Sequence, residues 1–447
     1  MADEKNKVEE AEAPAPDQVE LVGEAEKAQA EAIEALPKVE EAAVPAAKPA
    51  TKPSKMPKDY KPRLRADYDV PRPNPELEAG LNQAIEQGDL GNWLAGLAPQ
   101  DEEYRQLASA YAEASRQSGA DRRALIADGA TIRPGRADSR LPAIVAALRA
   151  GGYLPAAEGQ QAPPAARYGP ETVAAVRSLQ EDYGLEPSGL VDADTVVALN
   201  QTAFDRVRTL AANLERRRWL KRDAPPPTRI DVNTAAATLT YWRDGNIADR
   251  RRVVTGQPGN ETPQLRSPMF RLVANPTWTV PKSIEEEEIL PKGEAYLQRN
   301  HMVRRDNNIV QLSGPENSLG LVKFDMQNDQ SIYLHDTPAK ALFSQDWRHF
   351  SHGCVRVQDA LGFARLIAGQ EGVLEDWDEA LATGEETFVR LPREIPVRLL
   401  YHTAFVEDGR IRYRPDAYGW DEDLAEALGL GPRPRRARPA HARDVGP

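Results

Sequence analysis

The sequence predicts a multidomain α+β protein, an all-helical part followed by a mainly-β part with a few helices. Its 447 residues exceed what one hydrophobic core usually organises, so about two or three cores are expected. Apolar residues recur at helical spacing until the breaker "APPPT" at 224–228. Beyond it the pattern alternates with period two, as half-buried strands do.

Residues 1–58 are rich in Ala, Glu, Lys and Pro. They bury too little apolar surface to offset chain entropy and read as an acidic, disordered spacer. Residues 59–133 read as a helical scaffold, with apolar spacing from Pro75 to about Gln117 and punctuation at Gly91 and Pro99. Residues 134–205 read as a compact helical module. "LPAIVAALRAGGYL" is a helix closed by Gly151 and Gly152, and "GPETVAAVRSLQEDYGLEPSGLVDADTVVALNQ" is a helix, a turn and a second helix starting near Asp192. The basic "FDRVRTLAANLERRRWL" supplies a linker helix within 206–228.

Residues 229–396 form the mainly-β part. "TRIDVNTAAATLTYWRDGNIADRRRVVTG" reads as two or three strands with a hairpin turn at "RDGN". "MFRLVANPTWTVP" and "QSIYLHD" are further strands, and "VQDALGFARLIAG" is a helix directly after Cys354. A charged insert spans 284–320. The segment 397–431 ends in a hairpin expected to pack on the scaffold, and 432–447 is a basic, disordered tail.

The formal charge is −12, but residues 1–47 hold thirteen Asp or Glu and four Lys, which is −9 and leaves −3 for the rest. The acidity belongs to the spacer. No basic, aromatic-laced face points to nucleic acid. No run approaches the roughly 18 apolar residues of a membrane span. The first residues, "MADEKNKVEE", show no basic region followed by an apolar run, so no secretory signal is read there.

The chemistry concentrates in "LHDTPAKALFSQDWRHFSHGCVRV", residues 334–357, which hold the single cysteine and three of the six histidines. A cysteine attacks only as thiolate and titrates near pH ~8.5, so a catalytic one needs a proton acceptor or a positive environment. His335 ends the strand "SIYLH", 19 positions before Cys354, where a strand end and a loop can meet. His352 would project away from the thiol and brace the loop. Gly353 allows a sharp turn, and the following helix would set N–H groups and a positive dipole end beside the sulfur. Three alternatives stay open: a buried structural cysteine, a zinc site from His335, His349, His352 and Cys354, and a papain-like peptidase, which wants its cysteine ahead of its histidine.

His335, fifteen intervening residues and then Ser351-His352-Gly353-Cys354 resemble the signature of the L,D-transpeptidases with a YkuD-like catalytic domain. "NPTWTVPKSI" at 275–284, "EILPKG" at 288–293, "GPENSLGLVKF" at 314–324, "YLHDTP" at 333–338 and "YHTAFVEDGRIRYRPDAYGWD" at 401–421 resemble the large subfamily. The stretch from Thr172 to Gln180, with Gly184, Leu185, Gly189 and "DADTVVALN", resembles the peptidoglycan-binding helical module beside many wall enzymes.

The resemblance implies a β-sandwich-like catalytic domain with 284–320 as a mobile cap, and acyl transfer between wall stem peptides without metal or cofactor. Cys354 would be the nucleophile and His335 the general base and acid. Gly353 and Cys354 would give oxyanion N–H groups, with His352 and Ser351 supporting the loop. Arg356, Tyr333, Asp336 and Trp278 are candidate substrate-binding residues. Asp336 is alternatively an orienter of His335 or a turn cap, Trp278 alternatively core, and Arg356, where smaller members carry Asn, alternatively a local ion-pair partner. The partners implied are stem peptides and wall polymer, with weak salt-sensitive contact by the basic tail to anionic wall or membrane surface. The chain is expected to be a monomer in the periplasm. A wall-binding protein with a relic catalytic domain is the competing reading.

Overall fold

The computed structural model describes residues 75–119, 123–155, 167–220 and 224–432. The spacer at 1–58, the start of the scaffold and the basic tail from 433 onward lie outside the described residues.

Three helices open the described chain: α1 (Pro75–Glu86), α2 (Leu90–Leu97) and α3 (Glu102–Ser118). The first break falls at Gly88, with φ +68°, and not at Gly91, which lies inside α2. Asp101 caps α3 by accepting the Tyr104 N–H at 2.9 Å. Next, α4 (Leu141–Ala150), α5 (Pro170–Asp182) and α6 (Ala193–Leu199) share one core around Ile144, Leu148, Val176, Leu179 and Leu199. Gln180 stitches the connecting turn, donating to the Leu190 carbonyl at 2.8 Å and accepting the Gly189 N–H at 2.9 Å.

The expected linker helix is instead a buried hub. This helix, α7 (Ala203–Trp219), starts on a capping box between Thr202 and Asp205. It buries Arg208, Asn213 and Arg216 along with its apolar face. Their partners come from the far end of the chain. Arg216 is ion-paired with Asp421, and Asn213 donates to Thr403 Oγ1 at 2.7 Å. Thr403 in turn donates to Asp421 at 2.6 Å.

The β-part begins with β1 (Arg229–Asn233), β2 (Thr238–Arg243) and β3 (Asn246–Gly256). The "RDGN" turn has positive φ at Asp244 and Gly245, the requirement of a tight hairpin. The remaining strands of the main sheet are β4 (Leu265–Ala274), β8 (Val322–Met326), β9 (Leu334–His335), β10 (His349–Ser351), β11 (Val355–Val357) and β12 (Thr387–Leu400). Their order is β10-β3-β11-β9-β8-β4-β12-β1-β2, and β2 also pairs with β3, so the sheet closes on itself. One core fills it, drawn from every strand but β10 and from the helix α9 (Ala360–Glu371). Phe363 of α9 meets Tyr241 and Phe324 at 5.9 and 5.4 Å between centroids. The expected boundary at 396/397 falls inside β12, which runs unbroken to Leu400 because its second half pairs with both β1 and β4.

Between β4 and β8 a smaller unit forms, with β5 (Trp278–Thr279), β6 (Met302–Arg305) and β7 (Asn308–Gln311) as a second sheet. Its core of Trp278, Ile284, Leu297, Met302 and Ile309 makes the insert a folded body that begins earlier than residue 284. The last segment forms the hairpin β13 (Ala404–Glu407) and β14 (Arg410–Tyr413), then the helix α11 (Trp420–Ala427). It packs on α3 and α7 through Ala404, Tyr104, Leu107, Leu210 and Leu214.

The Arg216–Asp421 pair is 1% and 2% exposed, and removing one buried partner strands the other charge. Asp421→Asn should therefore cost about 3–5 kcal/mol in denaturant unfolding. Glu294→Gln, which breaks an exposed pair with Arg304, should cost less than about 1 kcal/mol.

Candidate active site

Alternation in β9 and β11 sorts their side chains. Leu334, Val355 and Val357 point into the sheet core. Tyr333, His335 and Arg356 therefore share the opposite face. The strands run parallel with Val355 opposite Leu334 and Arg356 opposite His335. Extending that register back sets Cys354 opposite Tyr333 and diagonal to His335, and the Val355 N–H donates to the Tyr333 carbonyl at 3.1 Å. Lys323 of β8 is paired with His335 from the other side.

Tyr333 joins these groups. Its ring lies 5.7 Å from the His335 ring, edge to face, and its hydroxyl lies close enough to the Cys354 sulfur and the Trp278 side chain for each to act on its ionisation. The Lys323 ammonium sits 4.5 Å over the Tyr333 ring and is held by Asp325 at 2.6 Å. The Cys354 thiol also lies 3.7 Å from the Ser331 carbonyl.

The loop before the thiol is pinned by its own hydroxyl. Ser351 Oγ donates to the Cys354 carbonyl at 2.6 Å and accepts the Gly353 N–H at 3.2 Å, while Thr262 Oγ1 donates to the Gly353 carbonyl at 2.8 Å. Gly353 has φ +116°, a conformation that side chains strain. Its N–H is thus committed to Ser351, which corrects the expectation that it faces a developing oxyanion. A second correction concerns the helix. Cys354 leads into β11, because Val355 and Val357 are core residues, and α9 begins only after Asp359, whose side chain accepts the Gly362 N–H. No helix terminus abuts the sulfur.

The other predicted residues sit as follows. His352 reaches out of the loop to Glu288 of the insert, Nε2 to Oε1 at 2.6 Å. Asp336 is buried; it pairs with Lys340 and accepts the Leu321 N–H at 3.1 Å, so its carboxylate fastens a turn. Trp278 is 3% exposed inside the insert core and touches the site only through Tyr333. Arg356 is 2% exposed, beneath the surface where a substrate would lie, and its charge acts on His335. His349 hydrogen-bonds Thr255 at 2.9 Å and meets Trp347 and Tyr418 edge to face. Among the described residues no group of three or more His, Cys, Asp or Glu is placed to hold a metal ion. Glu288, Lys323 and Asp325 were not singled out from the sequence; the alternation of "VKFDM" was the available signal for the last two.

Electrostatics set the resting state. Burial, with the Arg356 charge adding to it, brings the His335 imidazole down to about 3, against the pull of backbone acceptors at Asp336 and Leu319. Burial pushes the Cys354 thiol up, although hydrogen bonds from Tyr333 and the charges of Lys323 and Arg356 oppose it. Thiol and imidazole are both neutral near pH 7. Alkylation of Cys354 in the free protein by iodoacetamide should therefore climb steadily toward alkaline pH, with no step near the ordinary histidine value of about 6.5. Full reactivity already reached below about pH 7 would show a preformed thiolate–imidazolium pair instead. Protonating His335 favours the unfolded chain, so its stabilising contribution is intact above about 6.5 and is lost as pH falls toward 3. His335→Gln should flatten the acid limb of a Tm-against-pH curve.

Residues 227–384 match the L,D-transpeptidase catalytic domain family (YkuD), residues 138–199 the "Putative peptidoglycan binding domain" and residues 52–110 the "Scaffold domain". A Haemophilus influenzae protein named "Putative L,D-transpeptidase" is 33% identical over 220 residues, 44% of this chain and 45% of that protein. The chain thus spans about half the length of the curated relative it matches. Among solved structures, an L,D-transpeptidase (Yku) from Stackebrandtia nassauensis overlaps 62% of this chain and 97% of its own at 14% identity and a TM-score of 0.25. An L,D-transpeptidase from Mycobacterium smegmatis overlaps 39% and 58%, at 15% identity and a TM-score of 0.22. The segment that gathers thiol, imidazole and phenol on one sheet face lies within residues 227–384, the segment that matches the L,D-transpeptidase catalytic domain family.

Proposed function

We propose that the chain is a cysteine-dependent L,D-transpeptidase acting on the tetrapeptide stems of peptidoglycan outside the cytoplasm. One observation supports it above the others: the β9–β11 register sets Cys354 beside Tyr333 and diagonal to His335 on the sheet face opposite the core. Among the described residues no helix is long and apolar enough to cross a membrane.

The reaction starts from neutral partners. His335 takes the thiol proton as Cys354 Sγ attacks the carbonyl after the third, diaminopimelate-like residue. The Tyr333 hydroxyl, already at the sulfur, and the Cys354 N–H are the donors nearest the developing oxyanion. Collapse breaks the C–N bond, His335 returns the proton to the leaving amine, and D-Ala departs from a thioester. The side-chain amine of a second stem then attacks the thioester carbonyl, gives its proton to His335 and regenerates the thiol. The product is a cross-link between third residues. Transfer to a lipoprotein lysine, exchange with a free D-amino acid, or hydrolysis would use the same acyl-enzyme. The low basicity of His335 suits a group that must also act as acid toward an amine.

Cys354→Ala should abolish the acyl-enzyme seen by intact-mass analysis on tetrapeptide muropeptides and leave the thermal transition in place. His335→Ala should keep the thiol but slow acylation by about 10²–10⁴-fold. Continued cross-linking by the Cys354→Ala protein would defeat this mechanism.

The same thiolate chemistry should open a strained β-lactam ring and stall. A carbapenem should add once per chain, on the peptide containing "FSHGCVR", with penicillins far slower. Addition should be unchanged by a chelator and absent from Cys354→Ala. An adduct elsewhere, or one suppressed by chelation, would point away from Cys354 as the nucleophile.

A further inference from the structure

We propose that a cavity between the helical module and the edge of the main sheet is a second binding site for stem peptide, distinct from the cysteine cleft. The proposal rests on the peptidoglycan reading above and adds where a neighbouring stem is held.

The cavity measures about 400 Å³, within the range that takes a small ligand or a few residues of peptide. Tyr183 and Val197 of the module form one wall. Arg252, Trp347 and Arg348 of the sheet edge form the second, and Arg414 of the C-terminal segment closes the third.

Its chemistry is amphoteric. Among the described residues, Arg252, Arg348 and Arg414 donate to backbone carbonyls. Arg252 reaches Phe343, Arg348 reaches Ala236, Ala237, Val253, Gln345 and Asp346, and Arg414 reaches Asp182 and Tyr413. No carboxylate lies at ion-pair distance from any of the three among those residues. Arg348 and Arg414 are each brought down to about 10, chiefly by burial, with Arg252 and Arg412 respectively adding to it and the carboxylates of Asp346 and Glu407 opposing it. Carboxylates line the same space at Asp194 and Asp346. Guanidiniums and carboxylates between aromatic walls fit a ligand that carries several carboxylates and an amine on a short peptide, as a stem does. A nucleotide or a purely anionic glycan would meet the acidic rim.

The position also couples the two sites. Asp346 accepts the Glu186 N–H of the module at 3.3 Å, and Trp347 to His349 lead straight into β10. That strand ends at Ser351, the residue that fastens the cysteine loop. A stem held here would lie along a wall continuous with the cleft.

The test uses the full chain and a stem tripeptide ending at the diaminopimelate residue, which has no fourth residue to cleave and cannot acylate the thiol. Calorimetric titration should show two sites per chain. Val197→Trp, which fills the cavity from an exposed lining position, should leave one. Arg252→Glu, at the exposed rim, should weaken the same site at least tenfold and serves if Val197→Trp misfolds, as judged by thermal melting. Acylation of Cys354 by tetrapeptide should be unchanged in both variants. Tripeptide binding that both folded variants leave undiminished, at one site or at two, would overturn the proposal. Failure of the catalytic reading shows separately, as no acyl-enzyme on Cys354 in the parent chain while the cavity still binds tripeptide.

Discussion

The pairing of β9 with β11 is the contact on which the site depends. Two short parallel strands, one residue out of register, would turn every side chain to the wrong face. Leu334, Val355 and Val357 prevent this, because slipping them would expose three core residues at once. The hydrophobic core therefore fixes where thiol, phenol and imidazole stand, although none of those groups contributes much to it. Their alignment follows from residues that take no part in the chemistry.

The insert between β4 and β8 surrounds the thiol from above. Trp278 reaches down to the Tyr333 hydroxyl, and Glu288 reaches across to His352. The first joins the insert to the residue before β9, and the second joins it to the loop that carries the thiol. Burial raises the thiol and lowers the imidazole together, so electrostatics and enclosure are one property here.

Much of this was legible in the sequence. The change from helical to alternating spacing at 224–228, the "RDGN" hairpin, the helices at 141–150 and 203–219 and the pairing of a strand-end His335 with a loop Cys354 all rest on local patterns. What the sequence did not show depends on contacts distant along the chain. "VQDALGFARLIAG" reads as a helix directly after the thiol until β3 and β9 are placed on either side of Val355–Val357. Gly353 looks free to donate until Ser351 Oγ is seen to bend back on it. Arg356 reads as a substrate contact or a local ion-pair partner, and its burial depends on the strands on either side of it. Gly91 is a plausible break by composition, yet Gly88 has the positive φ. The linker helix was read from its breaker, whereas its buried polar residues have partners roughly two hundred positions away.

That last separation has a consequence for the order in which the protein can be assembled. Arg208 donates to the Leu430 carbonyl at 2.6 Å, Asn213 pairs with Thr403 and Arg216 with Asp421. During synthesis from the N-terminus, α7 emerges long before any of these partners exist. Until the segment after residue 400 arrives, the helix carries two interior guanidiniums with no compensation, and its core with α3 lacks the β13–β14 hairpin. The packing of α7 against α3 is therefore incomplete until the last segment arrives, whereas α4, α5 and α6 have a core of their own. Long-range closure of this kind is slow and leaves apolar surface open meanwhile. α3, α7 and the C-terminal segment are, physically, one packed unit whose parts lie at opposite ends of the sheet's sequence.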